Sequence, residues 1–113
     1  MIEVVREWFD AFAAEDMIRA RRLFPDDAVL HVGADQQHRG LDELLAWYDD
    51  KREATGDAFR YELVELMSGS DHVAALINLR TDSMEWKQVA LYRVVEDHIT
   101  DIWIFEEDPS PAL

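Results

Sequence analysis

From Phe59 onward the apolar residues stop recurring at helical spacing and begin to alternate, and this change constrains the fold more than any other feature of the chain. The segments FRYELVELM, VAALINLR, EWKQVALYRVV and ITDIWIFE each alternate between apolar and polar residues or run apolar. They are separated by turn-forming clusters at SGSDH, near Ser83 and at Glu96-Asp97-His98. Period two puts successive side chains on opposite faces of a strand, and short connections join neighbours, so the second half reads as a four-stranded antiparallel meander.

The first half carries the other period. Ile2, Val5, Phe9 and Phe12 share one face of a helix over residues 2 to 14, with Glu3, Arg6, Glu7 and Asp10 largely on the other. Asp16 reads as the N-cap of a short second helix through Met17, Ala20 and Leu23. Phe24-Pro25 stops it, because the residue before proline is steered out of the helical region. Ala28 to Val32 is β-rich, and a polar loop then runs to Gly40. Leu41, Leu44, Leu45 and Tyr48 mark a third helix ending at Thr55-Gly56, where glycine tolerates the left-handed terminal position.

A chain of 113 residues is one domain long and buries roughly two thirds of its unfolded surface. We expect one domain over residues 1–108 and a frayed tail over 109–113. Four Trp, five Phe and three Tyr within 49% hydrophobic content exclude a disordered chain. Twenty-five acids against eleven Lys and Arg give a formal charge of -14, which repels nucleic acid and anionic membrane surfaces. Without cysteine there is no disulfide or thiol chemistry. Acids interrupt MIEVVREWFD, so it does not read as a signal peptide or span, and a cytoplasmic protein is expected.

EDMIRARRLFPDDAVLHVG, then HRGLDELLAWY, the hairpin-rich second half and EDHITDIWIFEEDP resemble, in order and spacing, the nuclear transport factor 2-like superfamily and within it the SnoaL-like proteins. The resemblance implies an α+β fold of the cystatin-like kind. It is a cone-shaped barrel in which three N-terminal helices pack on a strongly curved, mainly antiparallel sheet, with a pocket on the concave side. Relatives include ketosteroid isomerase, limonene epoxide hydrolase, scytalone dehydratase, polyketide cyclases and non-catalytic domains, so fold alone does not choose a reaction. No cofactor is implied.

Two family chemistries can be tested on the residues. Ketosteroid isomerase needs a carboxylate base near the end of the first strand with a Tyr and a neutral Asp as donors. Here Trp8 stands in the place of the Tyr, Ala90 near that of the Asp, and His31 or Val32 at the base, so this activity is not expected. Arg80-Thr81-Asp82 has the letters of the epoxide hydrolase motif. It abuts a hairpin turn, however, and Ile104 occupies the matching position on the last strand, so Arg80 and Asp82 read as a solvated hairpin pair.

Strand parity taken from the same resemblance turns Ala74, Leu76, Asn78 and Arg80, then Trp86, Gln88, Ala90 and Tyr92, then Ile102, Ile104 and Glu106 toward the cavity. Asn78, Gln88, Tyr92 and Glu106 are expected to orient a ligand, with Trp8, Trp86, Ile102 and Ile104 in the wall. The polar groups satisfying one another over a filled core is the open alternative. The other parity sets Val73, Ala75, Ile77, Leu79, Val89, Leu91, Ile99, Trp103 and Phe105 on the convex face, where a second subunit would cover them in a homodimer.

His31 ends the first strand, and an imidazole there can act as acid or base if it faces inward. His38 and Arg39 read as a pocket rim shaped by Gly40, His72 and His98 as turn residues, and Trp47 and Tyr48 as helix-packing aromatics. Zinc sites need three or four clustered ligands, which these spacings do not offer, so no metal is expected. Two functions follow. One is an acid–base enzyme for cyclisation, isomerisation, dehydration or hydration of a hydrophobic oxygenated molecule, with His31 or Glu106 moving the proton. The other is a non-catalytic dimer that binds a small ligand or a protein.

Overall fold

The structure, a computed structural model, describes residues 1–55 and 59–111. Helix α1 (Ile2–Ala13) and the short α2 (Met17–Arg21) precede a hairpin of β1 (Val29–Val32) and β2 (Gln36–Arg39). Helix α3 (Leu41–Thr55) follows, then β3 (Arg60–Ser68), β4 (His72–Arg80), β5 (Met84–Val95), β6 (His98–Glu106) and β7 (Ser110–Pro111). The Asp16 side chain accepts a hydrogen bond from the Arg19 backbone N–H at 3.1 Å, the expected cap of α2, although that helix stops at Arg21 rather than running to Leu23. The expected glycine end of α3, Gly56, lies outside the described residues.

The sheet is curved, mixed and open, in the order β2-β1-β6-β5-β4-β3. The meander forms as expected, and β1 joins it by pairing in parallel with β6 while β2 pairs antiparallel with β1. The polar stretch before Gly40 is therefore a strand and not a loop. Gly33 (φ +61°), directly after β1, and Gly40 (φ +97°), directly after β2, occupy the left-handed region, where a side chain would be strained. Glu96 and Asp97 both have positive φ, the geometry that lets a tight turn follow the twist of β5 and β6. The tail expected to fray is tied at Ser110 and Pro111, which pair with Glu85 and Met84.

Register shifts between Leu63 and Glu65 and beside Arg93-Val94 bend the strands. The second shift brings Ile99 and Ile102, three apart, to the same buried side, so Ile99 belongs to the core and not to the convex face. One core lies between helices and sheet, with Val5, Trp8 and Ala11 of α1, Leu44 of α3, and Val73, Ala75, Ala90, Tyr92, Ile102 and Ile104 of the strands all buried.

The parity expected for β4 is corrected. Val73 lies opposite Tyr92, Ala75 opposite Ala90, Ile77 opposite Gln88 and Leu79 opposite Trp86, and directly paired residues share a face. Thus Ile77 and Leu79 are core residues, and they drop out of the convex surface. Asn78 pairs with Lys87 and is exposed on the convex side, so it cannot touch a ligand in the concave cavity. Ala74, Leu76 and Arg80 turn outward with it. The loop between Arg80 and Glu85 sets an odd–even register, and a one-residue slip inverts every side chain.

Candidate functional site

Between α1, α3 and the concave sheet face is a cavity of about 50 Å³, walled almost wholly by rings. Trp8, Phe9 and Phe12 reach it from α1, Trp47 and Tyr48 from α3, and Phe59, Tyr61 and Tyr92 from the sheet side, with Ile77, Leu79 and Gln88 as floor and Lys51 and Arg52 at one edge. The rings meet edge to face or tilted. Trp8 is 5.1 Å from Phe24 and 5.3 Å from Tyr48, and Tyr48 is 5.5 Å from Phe12. Such pairs hold each other at defined angles, so the wall is set by packing rather than by a loop.

Polar groups in this wall are few. Tyr61 Oη donates to the Phe9 carbonyl at 3.0 Å. The Tyr48 hydroxyl is buried without a hydrogen-bond partner among the described residues. Burial pushes the Tyr48 phenol well above its ordinary pKa, with the charges of Tyr92 and Glu106 adding to the effect. Tyr92 is raised too, chiefly by burial, while a hydrogen bond with Trp8 works in the opposite sense. Both phenols stay protonated and can donate.

Glu106 ends β6 beside this cavity. Its Oε2 accepts from Trp86 Nε1 at 2.9 Å, and its Oε1 accepts from Gln88 Nε2 at 3.0 Å and from Lys51 Nζ. Lys51 lines the cavity on one side and an outer hollow with Val32, Gly33 and Glu106 on the other. Glu106 is thus the carboxylate behind the cavity's cationic edge. Trp8, Gln88 and Tyr92, named from the sequence as ligand-facing, lie in the cavity wall. Trp86, Ile102 and Ile104 are on the concave side and buried, but they belong to the packed core around the cavity rather than to its wall.

His31 is elsewhere. It pairs with Trp103 across the parallel β1–β6 ladder, and the two rings stack on the convex face at 4.7 Å and 6°. Its Nε2 is 3.0 Å from Asp101 Oδ2, and its Nδ1 is 3.2 Å from the Gln37 amide nitrogen. An amide nitrogen only donates, so Nδ1 accepts and Nε2–H points to Asp101. Gln37 Oε1 in turn accepts from Arg39 at 2.9 Å. No common point lies within reach of His31 and Glu106, which occupy opposite faces, and the stretch that ends in His38 and Arg39 is an edge hairpin rather than a pocket rim. His38 faces inward opposite Leu30, with Nε2 buried and unpartnered among the described residues.

Arg80 and Asp82 do not pair with each other. Arg80 meets Glu85 and Asp82 meets Arg60, each at 3.3 Å and in solvent, so the epoxide hydrolase letters have no shared geometry. Cavity residues missed from the sequence are Phe9, Phe12, Trp47, Phe59 and Tyr61, together with Ile77 and Leu79, which the expected parity sets on the convex face, and Tyr48, Lys51 and Arg52. For the last three the signal was the spacing from Leu41 and Leu44, which carries the inward face of α3 through 48, 51 and 52.

A profile of the SnoaL-like domain matches residues 5–102. The chain belongs to the SnoaL-like family. Solved structures agree on the fold. Bal32a from a soil-derived mobile gene cassette superposes with TM-score 0.85 at 19% identity over 95% of this chain and 88% of the other. A candidate polyketide cyclase from Sinorhizobium meliloti gives 0.78 at 19% identity over 91% and 94%. A candidate ketosteroid isomerase from Kribbella flavida gives 0.83 at 16% identity over 94% and 76%. A search among curated protein sequences gave no match. Among the described residues no helix is long and apolar enough to cross a membrane. The chain thus has the SnoaL-like fold, with its own ring-walled cavity on the concave side.

Proposed function

We propose that this SnoaL-like domain binds a small, largely apolar, oxygen-bearing molecule in the ring-walled cavity, oriented by the Tyr48 hydroxyl. The buried, unpartnered hydroxyl carries the reading, because an orphan donor in an apolar site is destabilising until an acceptor meets it. Isothermal titration with phenol and toluene tests it. Tyr48→Phe should weaken phenol roughly fivefold and leave toluene unchanged. Equal loss for both compounds, or no binding of either, overturns it.

Acid–base turnover at the same cavity would use Glu106 as base and Tyr48 as donor to a developing enolate oxygen. The relatives named for cyclase and isomerase activity support a small-molecule role. Three donors already hold Glu106, so proton transfer would require one of them, Lys51 being the most exposed to the cavity edge, to let go. Binding is therefore placed ahead of turnover.

A second reading concerns the convex face. Met67 is 52% exposed, Phe105 51% and Val89 44%, beside the half-buried Leu76, Leu91 and Trp103. An apolar patch of this kind in a chain of charge -14 supports a homodimer closing over Val89, Leu91, Trp103 and Phe105. Sedimentation at micromolar concentration should give a dimer, and a monomer removes this reading.

A further inference from the structure

We propose that the ligand's oxygen is a hydroxyl, accepting a hydrogen bond from Tyr48 and donating one to Gln88 Oε1, so that the cavity takes an alcohol in preference to a ketone of the same shape; this rests on the reading of the cavity as a ligand site. Tyr48 reaches the cavity from α3 and Gln88 from β5. The first brings a buried donor that has no partner among the described residues. The second brings an acceptor whose direction is fixed.

Gln88 is 8% exposed and lies between Ile77 and Glu106 across the sheet. Its Nε2 donates to Glu106 Oε1 at 3.0 Å, while Trp86 Nε1 holds the other carboxylate oxygen at 2.9 Å. A carboxylate only accepts, so turning the amide round would set two acceptors against each other. The carbonyl oxygen is therefore the end of the amide left to meet a ligand. Donation to a carboxylate also draws electron density through the amide toward Oε1, which strengthens it as an acceptor.

The donor and the acceptor belong to one neighbourhood. Burial is the main cause of the raised Tyr48 pKa, and the charges of Tyr92 and Glu106 add to it, so the hydroxyl is within electrostatic reach of the carboxylate that Gln88 touches.

This pairing selects among oxygen- and nitrogen-bearing ligands. An ammonium group only donates, and it would leave the Tyr48 hydroxyl unmatched. A ketone or an ether only accepts, and it would desolvate Gln88 Oε1 without supplying a donor. A hydroxyl satisfies both with a single oxygen. Sites that hydrogen-bond a substrate hydroxyl discriminate strongly against analogues lacking it, because the protein's own polar group is then left unpaired.

A cavity of about 50 Å³ is smaller than the roughly 150 Å³ that accommodates benzene, so a wall side chain must move for a ring to enter. Cyclohexanol and cyclohexanone share one heavy-atom skeleton and hence that opening cost. Their difference isolates the donated hydrogen.

The test titrates each compound into protein labelled with ¹³C and ¹⁵N at neutral pH. The indole N–H signals of Trp8 and Trp47 read the cavity, and that of Trp103 reads the opposite face. Both compounds should move Trp8 and Trp47 but not Trp103, with the alcohol binding about tenfold more tightly. Tyr48→Phe should weaken both alike, whereas Gln88→Met should bring the two within about twofold of each other. The side-chain carbonyl ¹³C signal of Gln88 in the unaltered protein, a reading that needs no variant, should respond to cyclohexanol more than to cyclohexanone. Equal affinities, a tighter ketone, or a Gln88 carbonyl signal that cyclohexanol leaves unmoved overturn the hydroxyl proposal and leave the ligand site standing. Failure of both compounds to move Trp8 or Trp47 removes the ligand site and the proposal with it.

Discussion

Trp86 Nε1 donates to Glu106 Oε2 at 2.9 Å, linking two strands of the sheet at the end of the cavity. Glu106→Gln keeps the shape but substitutes an amide nitrogen for one oxygen, and that nitrogen must face a donor from Trp86, Gln88 or Lys51. Urea denaturation should show a loss of about 1–3 kcal/mol, the range for a buried polar group left mismatched. A loss under 0.5 kcal/mol would mean that the carboxylate network is not holding this end of the sheet.

Ile77 and Asn78 are neighbours with opposite fates. Ile77→Ala should cost about 2–5 kcal/mol and Asn78→Ala under about 0.5 kcal/mol, because only the first empties core volume. The reverse order, measured by chemical denaturation, would put β4 in the other register.

Those two residues also show what the sequence conceals. The period change at Phe59 and the Asp16 cap are local patterns, and they lead directly to the meander and to α2. VAALINL is apolar at almost every position, however, so alternation cannot distinguish its faces, and register is decided by the loop to β5. QQHR gives no strand signal because an edge strand needs no apolar side. His31 is near the end of β1 as read, but its parity depended on the parallel pairing with β6, which sets it opposite Trp103, 72 residues on in the chain. Tyr48 was legible as an inward helix residue, whereas its orphan hydroxyl was not, since only assembled packing determines which donors lack partners.

Raising pH should destabilise the protein through its buried phenols. Below about pH 10, the ordinary tyrosine value, Tyr48 and Tyr92 are protonated in both states and contribute no pH dependence. Above it the unfolded chain releases these protons and the folded chain keeps them, so the unfolded state binds fewer protons and stability falls. The slope is about 1.4 kcal/mol per pH unit for each tyrosine. Urea midpoints from pH 9 to 11 should decline above about pH 10, and Tyr48→Phe should make the decline shallower.

His31→Ala should leave cavity binding unchanged while altering the fluorescence of Trp103, the ring on which it stacks. A change in affinity for phenol would mean that the two faces are coupled through β1 and β6.

Phe105→Glu places a charge in the centre of the exposed apolar surface and is expected to convert a dimer to a monomer in sedimentation without altering the circular dichroism of the fold. Retention of the dimer would locate the contact on another surface.

The parallel junction of β1 with β6 has a consequence for how the protein is made. The hairpins of the second half close over short stretches of chain, but the hairpin nearest the N-terminus has no sheet to join until the final long strand emerges. Contacts so distant in sequence come late, after the entropy of a large loop has been lost, and folding is correspondingly slow.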